Sequence, residues 1–247
     1  MIHSSVIIEN GAKIADDVTI GPFCHIGKDV KISKGCKLES NVILKGKVNV
    51  GENVRIFSFT TIGHENSNVK IGKQTHIREF VQIGAQEDEN KKPKKIIIGN
   101  NNFLMGYVQI LSGVETGEYS IFTNAVRLYE NVKCQERVIV GGLSTVEANN
   151  TIGTGVMIGG ASCVKNDMPP FTLVEGNKAV VKGLNVVGLR RRLQNKDDIE
   201  KIKETFKRIM GRILGENVDK ELAAQIASTH ENEYVRRFSE FVANSNL

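Results

Sequence analysis

The stretch VTIGPFCHIGKDVKISKGCKL, residues 18–38, repeats a six-residue pattern in which each aliphatic residue follows a small or β-branched residue by two positions. The aliphatic position recurs without a break at Ile2, Ile8, Ile14, Ile20, Ile26, Ile32, Leu38, Leu44, Val50, Ile56 and Ile62. The small position recurs at Val6, Ala12, Val18, Cys24, Val30, Cys36, Val42, Val48, Val54 and Thr60. The residues between them are mostly Gly, Asn, Asp, Lys and Ser, which suit tight turns.

This period predicts a mainly β fold, namely a parallel β-helix built from hexapeptide repeats. A six-residue unit with one aliphatic and one small inward side chain makes one short strand and one corner, and three units close a triangular coil. Stacked coils bury the aliphatic residues in files that no single repeat could bury alone, while backbone hydrogen bonds join neighbouring coils. The stacked triangular coils form a prism, and each coil is expected to be stabilised mainly by its neighbours in that prism.

Two interruptions of the repeat predict loops outside the prism. The period slips after Ile62, which predicts a small loop near residues 64–70. Most of the segment 84–97 is rich in charged and poor in apolar side chains. This composition predicts a larger, solvated excursion from the prism. The aliphatic period then resumes and runs to about Val164.

A change of period marks a second domain. Pro169 and Pro170 end the repeat because neither can donate to the ladder of backbone hydrogen bonds. Apolar residues then recur at helical spacing, and Gly215 is expected to separate two helices. The sequence therefore predicts a β-helix over residues 1–184 and a helical domain over 185–247, packed on the last coils or on a neighbouring subunit.

Composition narrows the classes of function. The net charge of +5 comes without a nucleic-acid-binding motif, so no nucleic-acid partner is expected. No apolar run reaches the ~18 residues of a membrane span, and the N-terminus lacks a signal-peptide pattern, so a cytoplasmic protein is expected. The four cysteines have no metal-ligand spacing, and neither a metal site nor a cofactor is predicted.

Four segments connect the sequence to a known family. They are IGPF at 20–23, IREF at 77–80, NFLM at 102–105 and, above all, DMPPFTLVEGNKAVVKGLNVVGLRRR at 167–192. With them the chain resembles the UDP-N-acetylglucosamine acyltransferases that begin lipid A synthesis in Gram-negative bacteria, and the likeness spans nearly the whole sequence. The resemblance implies a left-handed β-helix and a homotrimer with active sites in clefts between prisms. It also implies an acyl carrier protein thioester as acyl donor and a UDP-sugar as acceptor.

The resemblance assigns the catalytic positions. In the family a histidine acts as general base and takes the proton of the attacking sugar hydroxyl, because an alcohol is a poor nucleophile near neutral pH. Ser112 occupies that position in this chain, and a serine hydroxyl cannot accept the proton unless something first deprotonates it. No histidine lies between His76 and His230. The other positions at which the family carries histidine are occupied by Gln109, Asn131 and Glu147.

The resemblance also implies substrate-binding positions. Asn185, Arg191 and Arg192 match residues that contact the sugar nucleotide, and an arginine pair suits phosphate because guanidinium groups bind it bidentately. The alternative interpretation is a solvated basic helix start. His64 and His76 fall in the region of the family's substrate loop, and the alternative is that they are surface histidines. The residues expected to steer an acidic carrier protein are Lys91, Lys92, Lys94 and Lys95.

Three functional hypotheses follow from these assignments. The first is an acyltransferase that uses acyl carrier protein and UDP-N-acetylglucosamine. The second is a catalytically inactive structural or regulatory trimer, which could form mixed trimers with an active paralogue of the family. The third is an acetyl-coenzyme A-dependent hexapeptide acetyltransferase.

Overall fold

The computed structural model describes residues 1–85, 92–211 and 218–247, and short strands in these ranges wind around a triangular prism. The first face consists of β1 Ile7–Ile8, β4 His25–Ile26, β7 Ile43–Leu44, β10 Thr61–Ile62, β13 Gln82–Ala85, β16 Gln109–Leu111, β19 Arg127–Leu128, β22 Thr145–Val146 and β25 Cys163–Val164. The second face consists of β2 Lys13–Ile14, β5 Lys31–Ile32, β8 Lys47–Val50, β11 Asn68–Ile71, β14 Ile96–Ile98, β17 Glu115–Thr116, β20 Lys133–Cys134 and β23 Thr151–Ile152. The third face consists of β3 Thr19–Ile20, β6 Lys37–Leu38, β9 Arg55–Ile56, β12 His76–Ile77, β15 Phe103–Leu104, β18 Ile121–Phe122, β21 Ile139–Val140, β24 Met157–Ile158, β26 Thr172–Glu175 and β27 Val180–Leu184.

Three corners join these faces in chain order. The first corner leads from the first face to the second, the second corner from the second to the third, and the third corner from the third back to the first. Among the residues that the structure describes, all strand pairs of the prism are parallel except the last, in which β27 returns antiparallel to β26. That terminal hairpin was not predicted from the sequence, because the hexapeptide period has already ended there.

The inward positions confirm the predicted repeat. Parallel pairing places Ile62 beside Ile83 and Ile83 beside Ile110, so the aliphatic residues form a continuous file on the inner side of each face. All three side chains are buried. The exceptions lie at the N-terminal end of the prism, which no further coil covers. Ile2 and Ile8 are 45% and 41% exposed, and Ile14 is partly buried.

The two predicted interruptions both lie at the first corner, and one is shorter than expected. Strand β11 already begins at Asn68 and Val69 is fully buried, so the first loop ends before residue 68 rather than at residue 70. Backbone pairing with the preceding coil draws Asn68 to Lys70 into the sheet. The second predicted excursion falls between β13 and β14, and residues 86–91 within it, including Lys91, lie outside the described residues.

Aromatic residues occupy strained turn positions at the third corner. Phe59, Phe80 and Tyr107 have φ values of 61°, 59° and 63°, a left-handed conformation that is unfavourable for bulky side chains. Their rings stack in parallel with centroid distances of 5.2 Å and 4.9 Å. The stack offsets part of the backbone strain, since aromatic pairs add about 0.5–1.5 kcal/mol beyond area burial.

The chain changes from strand to helix between Leu184 and Val186. Strand β27 ends at Leu184 and Asn185 is the N-cap of the first helix. The helices are α1 Val186–Arg192, α2 Lys196–Met210, α3 Lys220–Thr229 and α4 Glu233–Asn244. Helices α2 and α4 bury one face each, with the rings of Phe206 and Phe238 5.9 Å apart. Gly215 lies outside the described residues, and none of the helices within the described ranges is long and apolar enough to cross a membrane.

A core substitution should reveal how strongly stability depends on the inward file. We expect Ile62→Ala to lower the free energy of unfolding by about 2–5 kcal/mol, because the rigid stack cannot collapse into the cavity. Urea denaturation monitored by circular dichroism would measure the change. Ile7→Ala is the matched control, since Ile7 points outward and is 61% exposed, and equal losses in both variants would contradict the assignment of the inner file.

Candidate active site

The first corner brings Ser112, Asn131 and Glu147 together in consecutive coils. The backbone N–H of Asn131 donates to the carbonyl of Ser112 at 3.0 Å, and that of Asn149 donates to the carbonyl of Glu130 at 2.9 Å. Neighbouring coils are therefore in register here, with the ~4.8 Å spacing of adjacent strands. This corner holds the positions predicted to be catalytic.

The hydroxyl of Ser112 forms hydrogen bonds with the backbone of Lys94, which lies shortly before strand β14. Ser112 is 7% exposed, and its Oγ accepts a hydrogen bond from the backbone N–H of Lys94 at 2.7 Å. The same hydroxyl lies 3.5 Å from the carbonyl of Lys94, to which it donates. Ser112 thus holds the chain at Lys94 against the prism, and neither contact deprotonates the hydroxyl.

A line of hydrogen bonds runs along the corner from Lys94. Its ammonium donates to Oδ1 of Asn131 at 2.8 Å, and Nδ2 of Asn131 donates to Oδ1 of Asn149 at 3.0 Å. Asn131 and Asn149 have φ values of 59° and 66°, which asparagine tolerates better than most residues. An ammonium and two amides can bind an anion or polarise a carbonyl, but they do not replace an imidazole as proton acceptor.

Gln109 lies on the adjacent first face with its side chain outward. Its Nε2 donates to Oε1 of Gln82 at 3.1 Å, on the neighbouring strand. Arg127 follows on the other side in register, and its guanidinium lies 4.5 Å from the centroid of the Tyr129 ring. This part of the surface beside the corner is polar and carries a cation, which suits a polar substrate.

Glu147 reaches the same corner one coil further on. The thiol of Cys163 lies 3.8 Å from Oε1 of Glu147. The side chain is only partly buried. The carboxylate therefore has a thiol, and no cation, among its hydrogen-bond and ion-pair partners in the described part of the chain.

The structure separates the two histidines predicted to bind substrate. His64 lies in the first-corner loop, where its backbone N–H donates to Oγ of Ser67 at 2.9 Å. Its Nε2 is shielded from solvent and has no hydrogen-bond partner among the described residues. His76 instead lies on the third face beside Phe103, away from Ser112. Burial, followed by the charges of Arg55 and Arg78, lowers the pKa of His76.

The predicted C-terminal binding residues lie at the second corner. Oδ1 of Asn185 accepts from the backbone N–H of Gly188 at 2.9 Å, and its Nδ2 donates to the carbonyl of Gly155 at 3.1 Å. Asn185 therefore caps α1 and fixes it to the prism. Arg192 on α1 donates to the carbonyl of Arg137 at 2.9 Å. Within one chain these groups and Ser112 lie at different corners.

Comparison with known proteins covers both domains. A family model described as UDP N-acetylglucosamine O-acyltransferase, domain 2, matches residues 167–247. An acyl-[acyl-carrier-protein]–UDP-N-acetylglucosamine O-acyltransferase of Aliarcobacter butzleri is 39% identical over 99% of this chain and 95% of its own length. The chain belongs to this acyltransferase family.

Solved structures of this acyltransferase family agree with the fold. The UDP-N-acetylglucosamine acyltransferase from Campylobacter jejuni superposes with a TM-score of 0.90 at 32% identity, covering 100% of this chain and 97% of the other. LpxA from Acinetobacter baumannii gives a TM-score of 0.88 at 31% identity, covering 99% and 97%. The predicted left-handed β-helix with a C-terminal helical part is thereby confirmed.

Lys94 is the residue at the first corner whose contacts the sequence did not predict. Sequence reasoning found Ser112 and Asn131, but it named Lys94 only as one of several charges that attract a carrier protein. A sequence signal was present, since Lys94 lies two residues before β14 and therefore at the corner itself. What the sequence could not show is that the Ser112 hydroxyl and the Lys94 backbone meet.

Removal of the Ser112 hydroxyl should release the chain at Lys94. We expect Ser112→Ala to speed amide hydrogen exchange at Lys94 by about fivefold or more, because a hydrogen bond worth about 1 kcal/mol is lost. NMR, or mass spectrometry of the peptide that contains Lys94, would measure the rate. Ser33→Ala, on a remote coil, is the control, and unchanged exchange in Ser112→Ala would argue against the contact.

Proposed function

We propose that this chain is an acyl-acyl carrier protein–UDP-N-acetylglucosamine O-acyltransferase of lipid A biosynthesis that acts in the cytoplasm as a homotrimer and turns over slowly. The main support is its 39% identity with a relative of that name over 99% of the chain. The first corner then faces a cleft shared with the next subunit. Asn185, Arg191 and Arg192 of that neighbour would approach Ser112, because one chain alone keeps these groups at separate corners.

The outward side of the third face supports association of subunits. Consecutive strands place the apolar side chains of Phe103, Ile121, Ile139, Met157 and Leu173 in one outward column. These side chains are only half-buried in the single chain. The corresponding column of the second face is mostly polar or charged and consists of Lys13, Lys31, Asn49, Lys70, Ile97, Glu115, Lys133 and Thr151. Burial of the apolar column between prisms would contribute about 25 cal/mol per Å² of apolar surface.

The slow rate follows from the chemistry of the transfer. The sugar hydroxyl must lose its proton as its oxygen attacks the thioester carbonyl, and the thiol of the carrier leaves. General bases typically contribute about 10²–10⁴-fold to such rates. Ser112 offers no base, whereas Lys94 and Asn131 offer hydrogen-bond donors. The corner therefore favours substrate binding more than proton transfer.

A second candidate function is supported by one contact. Because the Ser112 hydroxyl is used to hold Lys94, the corner can serve as a binding surface without any catalytic step. The chain would then be a structural or regulatory subunit that mixes with an active member of the family. In a mixed trimer the clefts that contain the partner's histidine would keep turning over.

Enzyme assays separate the two candidates. We expect the purified protein to form a little acylated sugar nucleotide from acyl carrier protein thioester and UDP-N-acetylglucosamine. Ser112→His should raise the rate by about tenfold or more if the rest of the cleft is intact. Ser228→His, on the exposed side of α3, is the matched control.

The results of these assays distinguish the three functional hypotheses. Product from the wild type that increases with Ser112→His supports the enzyme. No product from either protein refutes it, and a change in the rate of a histidine-bearing relative on co-expression then supports the mixed trimer. Calorimetric binding of acetyl-coenzyme A, with no binding of UDP-N-acetylglucosamine, would favour the third hypothesis instead.

The proposed subunit contact is testable independently of activity. We expect Ile121→Lys to shift the protein from trimer to monomer in analytical ultracentrifugation, because the lysine would bury a charge between two prisms. Thr151→Lys, which points outward on the second face, should leave the trimer unchanged. A monomeric wild type, or an Ile121→Lys variant that stays trimeric, would exclude this surface as the contact.

A further inference from the structure

One residue, Lys94, covers two of the positions that were predicted to be catalytic. Its backbone N–H donates to Oγ of Ser112 at 2.7 Å, and its ammonium donates to Oδ1 of Asn131 at 2.8 Å. With Lys94 in this place, Ser112 is only 7% exposed. A substrate that is to use the same groups of Ser112 and Asn131 must therefore displace Lys94.

The chain at Lys94 lies directly on the first corner. Residue 113 is glycine, and a Cβ atom there would lie 3.3 Å from Cβ of Lys94 and 2.6 Å from Oδ1 of Asn131. The lack of a side chain at Gly113 thus leaves the space in which Lys94 and Asn131 meet. Shape and hydrogen bonding both fit Lys94 to this corner.

The contacts of Lys94 with Ser112 are those that a secondary amide would make. Oγ of Ser112 accepts from the N–H of Lys94, and it lies 3.5 Å from the carbonyl of Lys94, to which it donates. A hydroxyl can accept and donate at once. The acetamido group of a sugar and the amides of a pantetheine arm offer the same N–H and C=O. Asn131 could then accept from a ligand hydroxyl in place of the ammonium.

Lys94 can leave the corner without any change in the prism. Strand β14 begins two residues later at Ile96, which is 2% exposed and paired with Val69 of the preceding coil. The flanking residues Lys92 and Lys95 are exposed. Release of Lys94 therefore breaks its own hydrogen bonds at the first corner and leaves the inner file in place.

We propose that Lys94 is an internal competitor of the substrate, which occupies Ser112 and Asn131 in the free protein and is displaced by a ligand that carries a secondary amide. The inference rests on the proposed function, because the acyl acceptor and the arm of the acyl carrier both carry such an amide. Docking of Lys94 lowers the apparent affinity for the ligand, since only the fraction of molecules with Lys94 released can bind it.

Calorimetry with UDP-N-acetylglucosamine tests the competition on the full chain. We expect Lys94→Ala to bind this ligand about fivefold more tightly than the wild type, since the hydrogen bond to Asn131 no longer opposes binding. Lys133→Ala is the matched control, because it removes the same charge from an exposed position on the neighbouring strand β20. Its affinity should stay within about twofold of the wild type. Unchanged or weaker binding by Lys94→Ala, or no binding by either protein, overturns the proposal.

Hydrogen exchange of the Lys94 amide gives a second readout. Saturation of the wild type with UDP-N-acetylglucosamine should speed this exchange by about fivefold or more, because the displaced N–H loses its partner. Slower or unchanged exchange would mean that Lys94 stays in place or contacts the ligand, and it overturns the proposal. Faster exchange in a chain that forms no acylated sugar supports the competition and refutes only the enzyme.

Two further ligands identify the source of the amide. UDP-glucose lacks the acetamido group, so exchange that is accelerated by UDP-N-acetylglucosamine but not by UDP-glucose assigns the amide to the sugar. Acceleration by pantetheine assigns it to the arm of the carrier. Equal acceleration by UDP-glucose and UDP-N-acetylglucosamine, with none by pantetheine, overturns the requirement for an amide.

Discussion

Each coil of the prism is joined to the next by parallel backbone hydrogen bonds, and this pairing is possible only while the aliphatic residues stay in register on the inside. The register places Ile83 on Ile110 and Ile110 on Leu128, with each side chain packed between those of the neighbouring coils. A shift by one residue would turn every inward side chain outward. The inner file therefore fixes the pitch, the corners and the faces together.

Residues outside that file are free to change without loss of the fold. The four positions predicted to be catalytic lie at the first corner or point outward beside it. They are occupied by Gln109, Ser112, Asn131 and Glu147, none of which belongs to the inner file. Lys94, Asn131 and Asn149 form a line of hydrogen bonds along the corner. The side chains at this corner can therefore vary while the fold of the acyltransferase family is kept.

The sequence predicted the prism well because its determinants are periodic and local. It predicted the site only in part, because contacts between side chains of different coils produce no periodic pattern in the sequence. The hydrogen bond between Ser112 and Lys94 joins the first corner to the ten-residue segment between strands β13 and β14, and the spacing of residues alone does not predict such a contact. The same holds for Arg137 and Arg237, which lie a hundred residues apart and share a cavity only after α4 packs on the prism. Contacts between coils also altered a predicted loop. Pairing with the preceding coil makes β11 begin at Asn68, within the segment predicted to be a loop.

The aromatic stack at the third corner shows how the prism accommodates coils of unequal length. Phe80 and Tyr107 are separated by 27 positions of the numbering and Phe59 and Phe80 by 21, yet the two ring spacings differ by only 0.3 Å. The extra positions all fall between strands of the first and second faces, that is, at the first corner, so the other two corners keep the same rise per coil. A solenoid of this kind can acquire long insertions at a single corner without displacing the coils on either side of the insertion. The first corner, which bears the proposed reaction centre, is therefore also the corner at which this architecture can gain or lose segments most freely.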